Sequence, residues 1–481
     1  MPDAGGGKTA PSQPPSRLSL AQIFAFSATS LPTSALVIGI AIFLQPHLAR
    51  NLGVPLMVVA GALFTVLLLD FGIDLVLGLL MDRTHWKIGR YRVWFVAGVP
   101  ILAGGVALLF FTQRGVTAPY LVASLFVLYL GLSIITLAHA AWSATVVTSY
   151  NERSRVYGLM APMGIVGSIA ALLFPVISAA LHGTSTDAVH WMGWFIILLL
   201  PVTALIVVAS IPEPIAPDAK KKESAPIKEY WELVKKPSFL RLLFGEAFLV
   251  LGPGWMSNIY IFFFTSSRGF TEAQASILLV VYVIAGVIGA PVTGWLAMKF
   301  GKHRALIATT SAYSLGLCTV MITPKADIVA ALPTLFWCGF MAAGFNLMTR
   351  AMTADFGDEI RLEQGKERIT LLYAGTGLAA KLAGASAGIF TASVLTWVGF
   401  DPKLAHNTPE AIRGLELAYI VGPIVFVMLG GLCFLGWNLN AEKHSKIRAE
   451  LDARDALYAE APIIESVTAA DQEPPVVVPK T

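Results

Sequence analysis

The chain has 481 residues, of which 56% are hydrophobic and only 13% are charged, and its mean hydropathy is +0.70. A soluble protein carries about a quarter charged residues, so this composition excludes a soluble globular protein. The repeated apolar stretches of about 20 residues or more also exclude a membrane β-barrel, whose strands alternate over about ten residues. The formal net charge of +4 says little by itself, because the information lies in the positions of the charged residues along the chain.

Residues 1–18 are rich in proline, glycine and serine. They lack the basic, apolar and small-residue order of a cleavable signal, so they predict a disordered cytoplasmic tail. Behind this tail, apolar stretches long enough to cross a bilayer recur along the chain and predict twelve transmembrane helices. The predicted spans are residues 20–46, 54–80, 93–112, 118–146, 157–181, 190–211, 239–266, 272–298, 305–323, 329–351, 368–397 and 413–438.

Two carboxylates lie in the second predicted span. Asp70 and Asp74 are four residues apart, which places them on one helix face with their β-carbons about 6 Å apart. Two charges at that distance repel by roughly 3 kcal/mol at an effective dielectric constant of about 20. Because a charge near the middle of a membrane is costly, the pair predicts a site that binds a cation or a proton.

The chain divides into two related halves. After the second span it reads Gly89-Arg90-Tyr91-Arg92, and six spans later it reads Gly301-Lys302-His303-Arg304. Repeated halves around a central site are typical of alternating-access transporters. We therefore expect a six-helix bundle at 19–211, a cytoplasmic linker at 212–238, a second six-helix bundle at 239–438 and a cytoplasmic tail at 439–481.

Lysine and arginine predict the orientation in the membrane. The predicted external loops hold six of the 34 basic residues, namely Arg50, Arg114, Arg268, Lys325, Lys403 and Arg413. Of the others, 27 lie in cytoplasmic segments or at the cytoplasmic ends of spans, and Lys381 lies in the interior of a span. By the positive-inside rule, both termini are expected in the cytoplasm and the chain in the inner (plasma) membrane of the cell.

Two motifs carry a family resemblance. The first reads Asp70-x3-Asp74-x3-Gly78-x3-Asp82, followed by Trp86, Gly89 and Trp94, and the second reads Ala354-Asp355-Phe356-Gly357-Asp358-Glu359, followed by Tyr373 and Lys381. With these motifs, over roughly residues 20–438, the chain resembles the major facilitator superfamily and, within it, the glycoside–pentoside–hexuronide:cation symporter family (melibiose permease-like). The resemblance implies an all-α membrane protein with twelve transmembrane helices in two pseudo-symmetric six-helix bundles, the major facilitator fold.

The resemblance also implies roles for three charged residues. Asp70 and Asp74 would bind the coupling cation, and Lys381 would lie close to them. At 1.5 Å per residue, both spans place these groups near the membrane midplane. Because one span belongs to each half, a contact between them would join the two halves. The alternative is a buried ion pair that only fixes packing.

The coupling ion follows from two departures from melibiose permease. Ile73 and Ala138 stand where that permease has polar residues, and few oxygens are left to bind a sodium ion. We therefore expect coupling to a proton in preference to sodium, and no metal or other cofactor.

The predicted solute site is rich in hydroxyl, amide and aromatic side chains but lacks the helix-1 carboxylate of melibiose permease. Its candidate residues are Ser30, Ser34, His139, Trp142, Trp255, Asn258, Asn346 and Tyr373. Each taken alone is equally explained by packing, and His139 by a hydrogen bond to a neighbouring helix. We expect a sugar or glycoside, with an amphiphilic or lipid-like solute as the alternative.

Charged clusters lie at two cytoplasmic membrane boundaries. Their members are Asp82, Arg83, Arg90 and Arg92 in the first half and Arg350, Asp355 and Asp358 in the second. The resemblance implies that they gate the transporter through salt bridges between the halves in the outward-facing state. The alternative is a positive-inside anchor with no gating role. Glu246, in the seventh span, is expected to line the cytoplasmic vestibule, with pairing to Arg241 or a part in solute or proton binding as alternatives.

Together these patterns predict a secondary active transporter that moves a small organic solute inward with a proton or sodium ion by alternating access. A non-transporting membrane scaffold on the same fold is the alternative, although charges at the midplane would give a scaffold no advantage. We expect neither enzyme activity nor a nucleic-acid partner. The expected partners are the solute, the cation and the lipid bilayer, and the protein is expected to be a monomer.

Overall fold

The computed structural model describes residues 18–84, 86, 89–146, 150–211, 213, 232–365 and 368–460, and the regular structure within them is helical. Residues 1–17, most of the predicted linker and residues 461–481 lie outside the described part, together with the expectations made for them.

Six helices form the N-terminal half. Helix α1 comprises Leu20–Ser27 and Ser30–Ile38 and continues through the π-helical turns Gly39–Leu44 and His47–Asn51. The others are α2 (Leu56–Arg83), α3 (Tyr91–Phe110), α4 (Ala118–Val146), α5 (Tyr150–Ala180) and α6 (Ser185–Ser210).

Six further helices form the C-terminal half. They are α7 (Pro237–Phe262, continued by the π-helical turn Phe263–Ser267), α8 (Glu272–Phe300), α9 (Lys302–Thr319), α10 (Ile328–Gln364), α11 (Ile369–Trp397) and α12 (Pro409–Leu432). A last helix, α13 (Ala441–Glu460), follows them.

Eleven of the described helices are long and apolar enough to cross a membrane. The remaining predicted span corresponds to α9, which begins with Lys302, His303 and Arg304 and is therefore less hydropathic. Its 18 residues give about 27 Å of helix, close to the thickness of the hydrocarbon core. Helix α9 packs against α10 and α12, so it completes the twelve-helix arrangement.

Helix α10 runs well beyond its predicted end at residue 351. Hydropathy falls at Arg350, but the following segment still buries Phe356 and Ile360 on one side, which supports a continued helix. The helix ends only where Gly365 adopts a left-handed conformation with φ of 69°. As a result, Asp355 and Asp358 lie on a rigid helix instead of a loop.

Glycines permit close helix contacts within each half. A β-carbon on Gly167 of α5 would overlap the backbone carbonyl of Leu31 in α1, and one on Gly289 of α8 would overlap the carbonyl of Phe340 in α10. Small residues of this kind let membrane helices approach closely, where van der Waals packing holds them together. Between the halves, α2 packs against α11 and α5 packs against α8.

The helix ends define two faces of the molecule. The face that carries the start of α1, the end of α6 and α13 is called the terminal face below, and the other is the opposite face. At the terminal face the Gln22 side chain donates to the Ser210 carbonyl at 3.2 Å, within one half. At the opposite face Arg50 reaches across the halves, with Nη1 3.6 Å from Glu272 Oε1 and Nη2 3.1 Å from Thr265 Oγ1. The halves are therefore joined at the opposite face.

Candidate cation-coupling site and solute cavities

Helices α2 and α11 bring two carboxylates and one lysine together. The Lys381 ammonium lies 3.4 Å from Asp70 Oδ2 and donates a hydrogen bond to Asp74 Oδ2. Asp70 and Asp74 are four residues apart on α2, so both face the same neighbouring helix. Because α2 and α11 belong to different halves, the triad is also a contact between the halves.

The oxygens of the two carboxylates are unequally satisfied. Ser133 Oγ on α4 donates to Asp70 Oδ1 at 2.6 Å, and the Asp70 side chain is only 8% exposed. Asp74 Oδ1 is buried and has no hydrogen-bond partner among the described residues. A buried acceptor without a partner is costly, and the formal charge of the triad is −1. The triad therefore has one hydrogen-bond acceptor without a partner in the described part of the chain, and one additional positive charge would make it neutral.

The triad opens onto a cavity of about 760 Å³ in the N-terminal half. Hydroxyl groups from three helices line it beside the charged residues, namely those of Thr33, Ser34, Tyr129, Ser133, Thr136 and Ser168. Sequence reasoning missed Tyr129, Ser133 and Ser168. Tyr129, Ser133 and Thr136 follow i, i+4, i+7 spacing, so a polar stripe on an otherwise apolar helix was the available signal.

A second cavity, of about 490 Å³, lies in the C-terminal half between α7, α8 and α10. Its polar lining includes Glu246, Ser257, Tyr282, Asn346 and Thr349. Glu246 lines this cavity, whereas the Arg241 guanidinium donates to the carbonyls of Leu435 and Gly436.

Two of the eight predicted solute residues line these cavities. Ser34 lines the N-terminal cavity and Asn346 lines the C-terminal one. The other six line neither of these two cavities, and their role as solute ligands stays a prediction.

Packing inside the N-terminal half accounts for His139 and Trp142. The His139 ring stacks on Phe26 at 4.1 Å between centroids, and its Nε2 lies 3.0 Å from the Phe26 carbonyl oxygen. Trp142 is fully buried and meets Phe26 and Phe95 edge to face. Both rings pack α4 against α1 and α3, and neither lines the N-terminal cavity.

Trp255, Asn258 and Tyr373 make hydrogen bonds to backbone carbonyls. Trp255 is buried and its Nε1 donates to the Ala418 carbonyl at 2.9 Å, and the Asn258 amide donates to the Gly254 carbonyl at 2.8 Å. The Tyr373 hydroxyl donates to the Arg350 carbonyl at 3.1 Å, which ties α11 to α10. Ser30 is half-buried at the start of the second segment of α1.

Three members of the first predicted gating cluster, Asp82, Arg90 and Arg92, make contacts within the N-terminal half. Asp82 Oδ1 lies 3.6 Å from Arg90 Nη2 and accepts from the Tyr91 hydroxyl at 3.1 Å. The Arg92 guanidinium donates to the Val208 carbonyl of α6. Arg83 is the last residue of α2 and is exposed.

The second gating cluster binds within the C-terminal half. Both oxygens of Asp355 accept from Lys302 Nζ at 2.7 Å, at the start of α9. Asp358 lies 3.0 Å from His444 Nε2 and 3.3 Å from Arg448 Nη1, both on α13. The Arg350 side chain is exposed. The ion pairs observed for Asp82, Asp355 and Asp358 therefore do not cross between the halves in this structure.

The chain is similar to known membrane transporters. The family described as MFS/sugar transport protein matches residues 25–441. The sodium-dependent lysophosphatidylcholine symporter 1 of Xenopus tropicalis is 23% identical over 482 residues, which cover 90% of this chain and 90% of that protein. The lactose permease of Lactobacillus delbrueckii subsp. bulgaricus is 20% identical over 400 residues, which cover 79% of this chain and 64% of that protein.

Among solved structures, the inward-facing, unoccupied form of a bacterial homologue of the human lysosomal transporter Spinster matches with a TM-score of 0.61. The match covers 90% of this chain and 97% of that chain at 14% identity. At this identity the likeness establishes the fold alone.

Proposed function

This chain belongs to the MFS/sugar transport protein family, and from that premise we propose that it couples the uptake of a small organic solute to a cation by alternating access. It is a multi-pass membrane transporter of the major facilitator fold, and not an enzyme. The observation that carries the proposal is the triad of Asp70, Asp74 and Lys381 between α2 and α11, with Asp74 Oδ1 left unpaired.

The charge balance of the triad supports cation coupling. Two carboxylates and one ammonium leave a formal charge of −1, which a single proton or sodium ion neutralises. When Asp74 receives that cation, its attraction for Lys381 weakens, and so does the contact between the halves. A ligand shifts a conformational equilibrium by as much as its affinities for the two states differ. Here the contact between Lys381 and the aspartates depends both on whether the cation is bound and on how the two halves are arranged.

We favour the proton as the coupling ion. Lys381 Nζ already occupies the space between the two carboxylates, and Ser133 is the one further described residue that hydrogen-bonds to either of them. A sodium ion would need several more oxygens at that place. Sodium is the second candidate, because the relative from Xenopus tropicalis carries sodium dependence in its name.

We favour a sugar or glycoside as the solute. The N-terminal cavity has hydroxyl groups on three helices, and its volume of about 760 Å³ suits a small molecule. The lactose permease among the relatives supports the same class. A lysophospholipid-like amphiphile is the second candidate, because it is named for the relative from Xenopus tropicalis and most of the cavity wall is apolar.

The proposed state and orientation follow from the two faces. Arg50 joins the halves at the opposite face, whereas Asp82, Asp355 and Asp358 bind within their own halves at the terminal face. We assign the terminal face to the cytoplasm of the inner (plasma) membrane by the positive-inside rule, and with that orientation the contacts support an inward-facing state. We also propose that the protein is a monomer.

Reconstituted vesicles test the proposal. Purified protein is placed in liposomes, and the uptake of labelled lactose, raffinose and lysophosphatidylcholine is followed under an imposed proton gradient, a sodium gradient or neither. We expect accumulation of a sugar above its external concentration under the proton gradient. Accumulation under sodium alone would replace the proton, and accumulation of the lysolipid alone would replace the sugar. No uptake under any gradient would favour the non-transporting scaffold.

A further inference from the structure

The cavity of the C-terminal half contains a carboxylate that the coupling triad does not use. Glu246 projects from α7 into this space of about 490 Å³, and Asn346 lines it from α10. Most of the other lining residues are apolar, among them Leu249, Val250 and Phe345. Glu246 is half-buried and Asn346 is exposed within the cavity, so both polar groups are accessible to a ligand.

The hydrogen bonds in this cavity leave mainly acceptors free. Ser257 Oγ donates to the Pro253 carbonyl at 3.0 Å, and Thr349 Oγ1 donates to the Phe345 carbonyl at 3.1 Å, so each hydroxyl has already used its proton. Within the described part of the chain, the Glu246 carboxylate and the Asn346 amide have no hydrogen-bond partner.

The free groups define the chemistry of a ligand. One carboxylate, two hydroxyl oxygens and one amide oxygen can accept, whereas the Asn346 NH2 group and the Tyr282 hydroxyl can donate, so the acceptors outnumber the donors. A molecule that carries several hydrogen-bond donors at different positions fits this set. A single ammonium group would satisfy Glu246 but leave the acceptors on α10 without partners, so a polyhydroxylated solute fits better.

The cavity lies next to the coupling site. Gly384 on α11 lines the N-terminal cavity one turn from Lys381, and Val250 on α7 lines the C-terminal cavity. Val250 Cγ1 is 3.9 Å from the position that a β-carbon on Gly384 would occupy. A ligand in the C-terminal cavity therefore sits across the α7–α11 contact from the triad.

We propose that Glu246 and Asn346 form a recognition subsite for the hydroxyl groups of a neutral sugar or glycoside. The carboxylate accepts hydroxyl protons from one part of the solute, and the amide both donates to and accepts from another. This inference rests on the proposed function, and it adds a solute contact in the C-terminal half to the N-terminal cavity, while the cation binds at α2.

The test measures equilibrium binding to the full-length protein in lipid nanodiscs. The probes are labelled lactose and raffinose, with lysophosphatidylcholine as the competing class. The parent is compared with Glu246→Gln, Asn346→Leu and the control Glu410→Gln, which removes an exposed carboxylate in the first turn of α12. The melting temperature of each variant reports folding.

We expect the parent and the control to bind at least one glycoside with equal affinity. Glu246→Gln should raise its dissociation constant about 10- to 100-fold, because hydrogen bonds to a charged acceptor are lost, and Asn346→Leu should raise it about fivefold or more. If Glu246→Gln does not fold, Asn346→Leu decides. The subsite is overturned if neither glycoside binds the parent, or if the folded variants bind as the parent does.

Failure of the coupling proposal would look different. In that case the parent would bind the glycoside with the same affinity at every proton and sodium concentration, yet Glu246→Gln would still weaken the binding. That outcome supports the subsite and removes only the cation.

Discussion

Replacing Asp74 by asparagine should uncouple transport from the ion gradient. The change keeps the size of the side chain but removes one negative charge from the triad. Asp70 and Lys381 then form a neutral pair at 3.4 Å, and no net charge remains to attract a cation. We therefore expect the Asp74→Asn protein to exchange solute across the membrane without accumulating it.

The magnitude follows from Coulomb's law. A cation about 4 Å from the Asp74 carboxylate gains about 4 kcal/mol at an effective dielectric constant of about 20. Losing that attraction weakens cation binding by about a thousandfold. A gradient of physiological size cannot compensate for such a loss, so uphill accumulation should disappear.

The assay compares two measurements on the same liposomes, namely gradient-driven accumulation and the exchange of labelled for unlabelled solute. The matched control is Asp327→Asn, an exposed aspartate that caps α10 by accepting from the Ala330 amide at 3.1 Å. Asparagine preserves such a cap, so this control should transport like the parent. If Asp74→Asn accumulates solute as well as the parent does, the cation does not couple through this triad.

Three further changes test other contacts. Ser133→Ala removes the 2.6 Å hydrogen bond that stabilises the charged Asp70 carboxylate, so a coupling proton should bind more readily and the proton concentration for half-maximal uptake should fall about tenfold. An unchanged value would place this hydroxyl outside the coupling site. Glu272→Gln breaks the ion pair with Arg50 at the opposite face and should shift the conformational equilibrium about fivefold toward the outward-open state. The measurement is external labelling of Ser34→Cys in a cysteine-free background, and unaltered labelling would show that the pair does not hold that face closed. Gly289→Ala forces a methyl group against the Phe340 carbonyl and should lower the melting temperature by several degrees. The control Gly286→Ala, whose β-carbon would lie 3.6 Å from the Gly339 carbonyl oxygen, should not, and equal melting temperatures would refute the close-packing argument.

The three residues of the triad could be found from the sequence, because charges within apolar runs are visible along a single chain. Asp70, Asp74 and Lys381 interrupt apolar runs, and a charge in such a run needs a partner wherever the helix ends up. The i, i+4 spacing of the aspartates fixed their common face before any packing was known. The structure adds that the lysine contacts both.

The residues that line the cavities were less predictable, because the rotation of each helix about its axis decides which side chains face a cavity. Serine, asparagine, tryptophan and histidine occur both in membrane-helix interfaces and in binding sites, and sequence does not say which way they face. Phe26 and Phe95 enclose His139 and Trp142, and the Ala418 carbonyl binds Trp255. Each of these contacts comes from another helix, far away in the chain.

Hydropathy alone also set the helix ends imperfectly. It marks where a segment leaves the hydrocarbon and not where the helix stops, so it ended α10 too early. It also ranks α9 below a membrane span, although the helix packs among its neighbours.

The sequence by itself determined the membrane class, the number of helices, the family and the charged triad, since each depends on composition, period or spacing along one chain. Only the tertiary structure decided that Ser133 supports Asp70, that Glu246 and Asn346 share a cavity, and that the terminal-face carboxylates bind within their own halves. The physical reason is that helix rotation and partner choice are set by packing between distant segments, and local spacing carries no information about either.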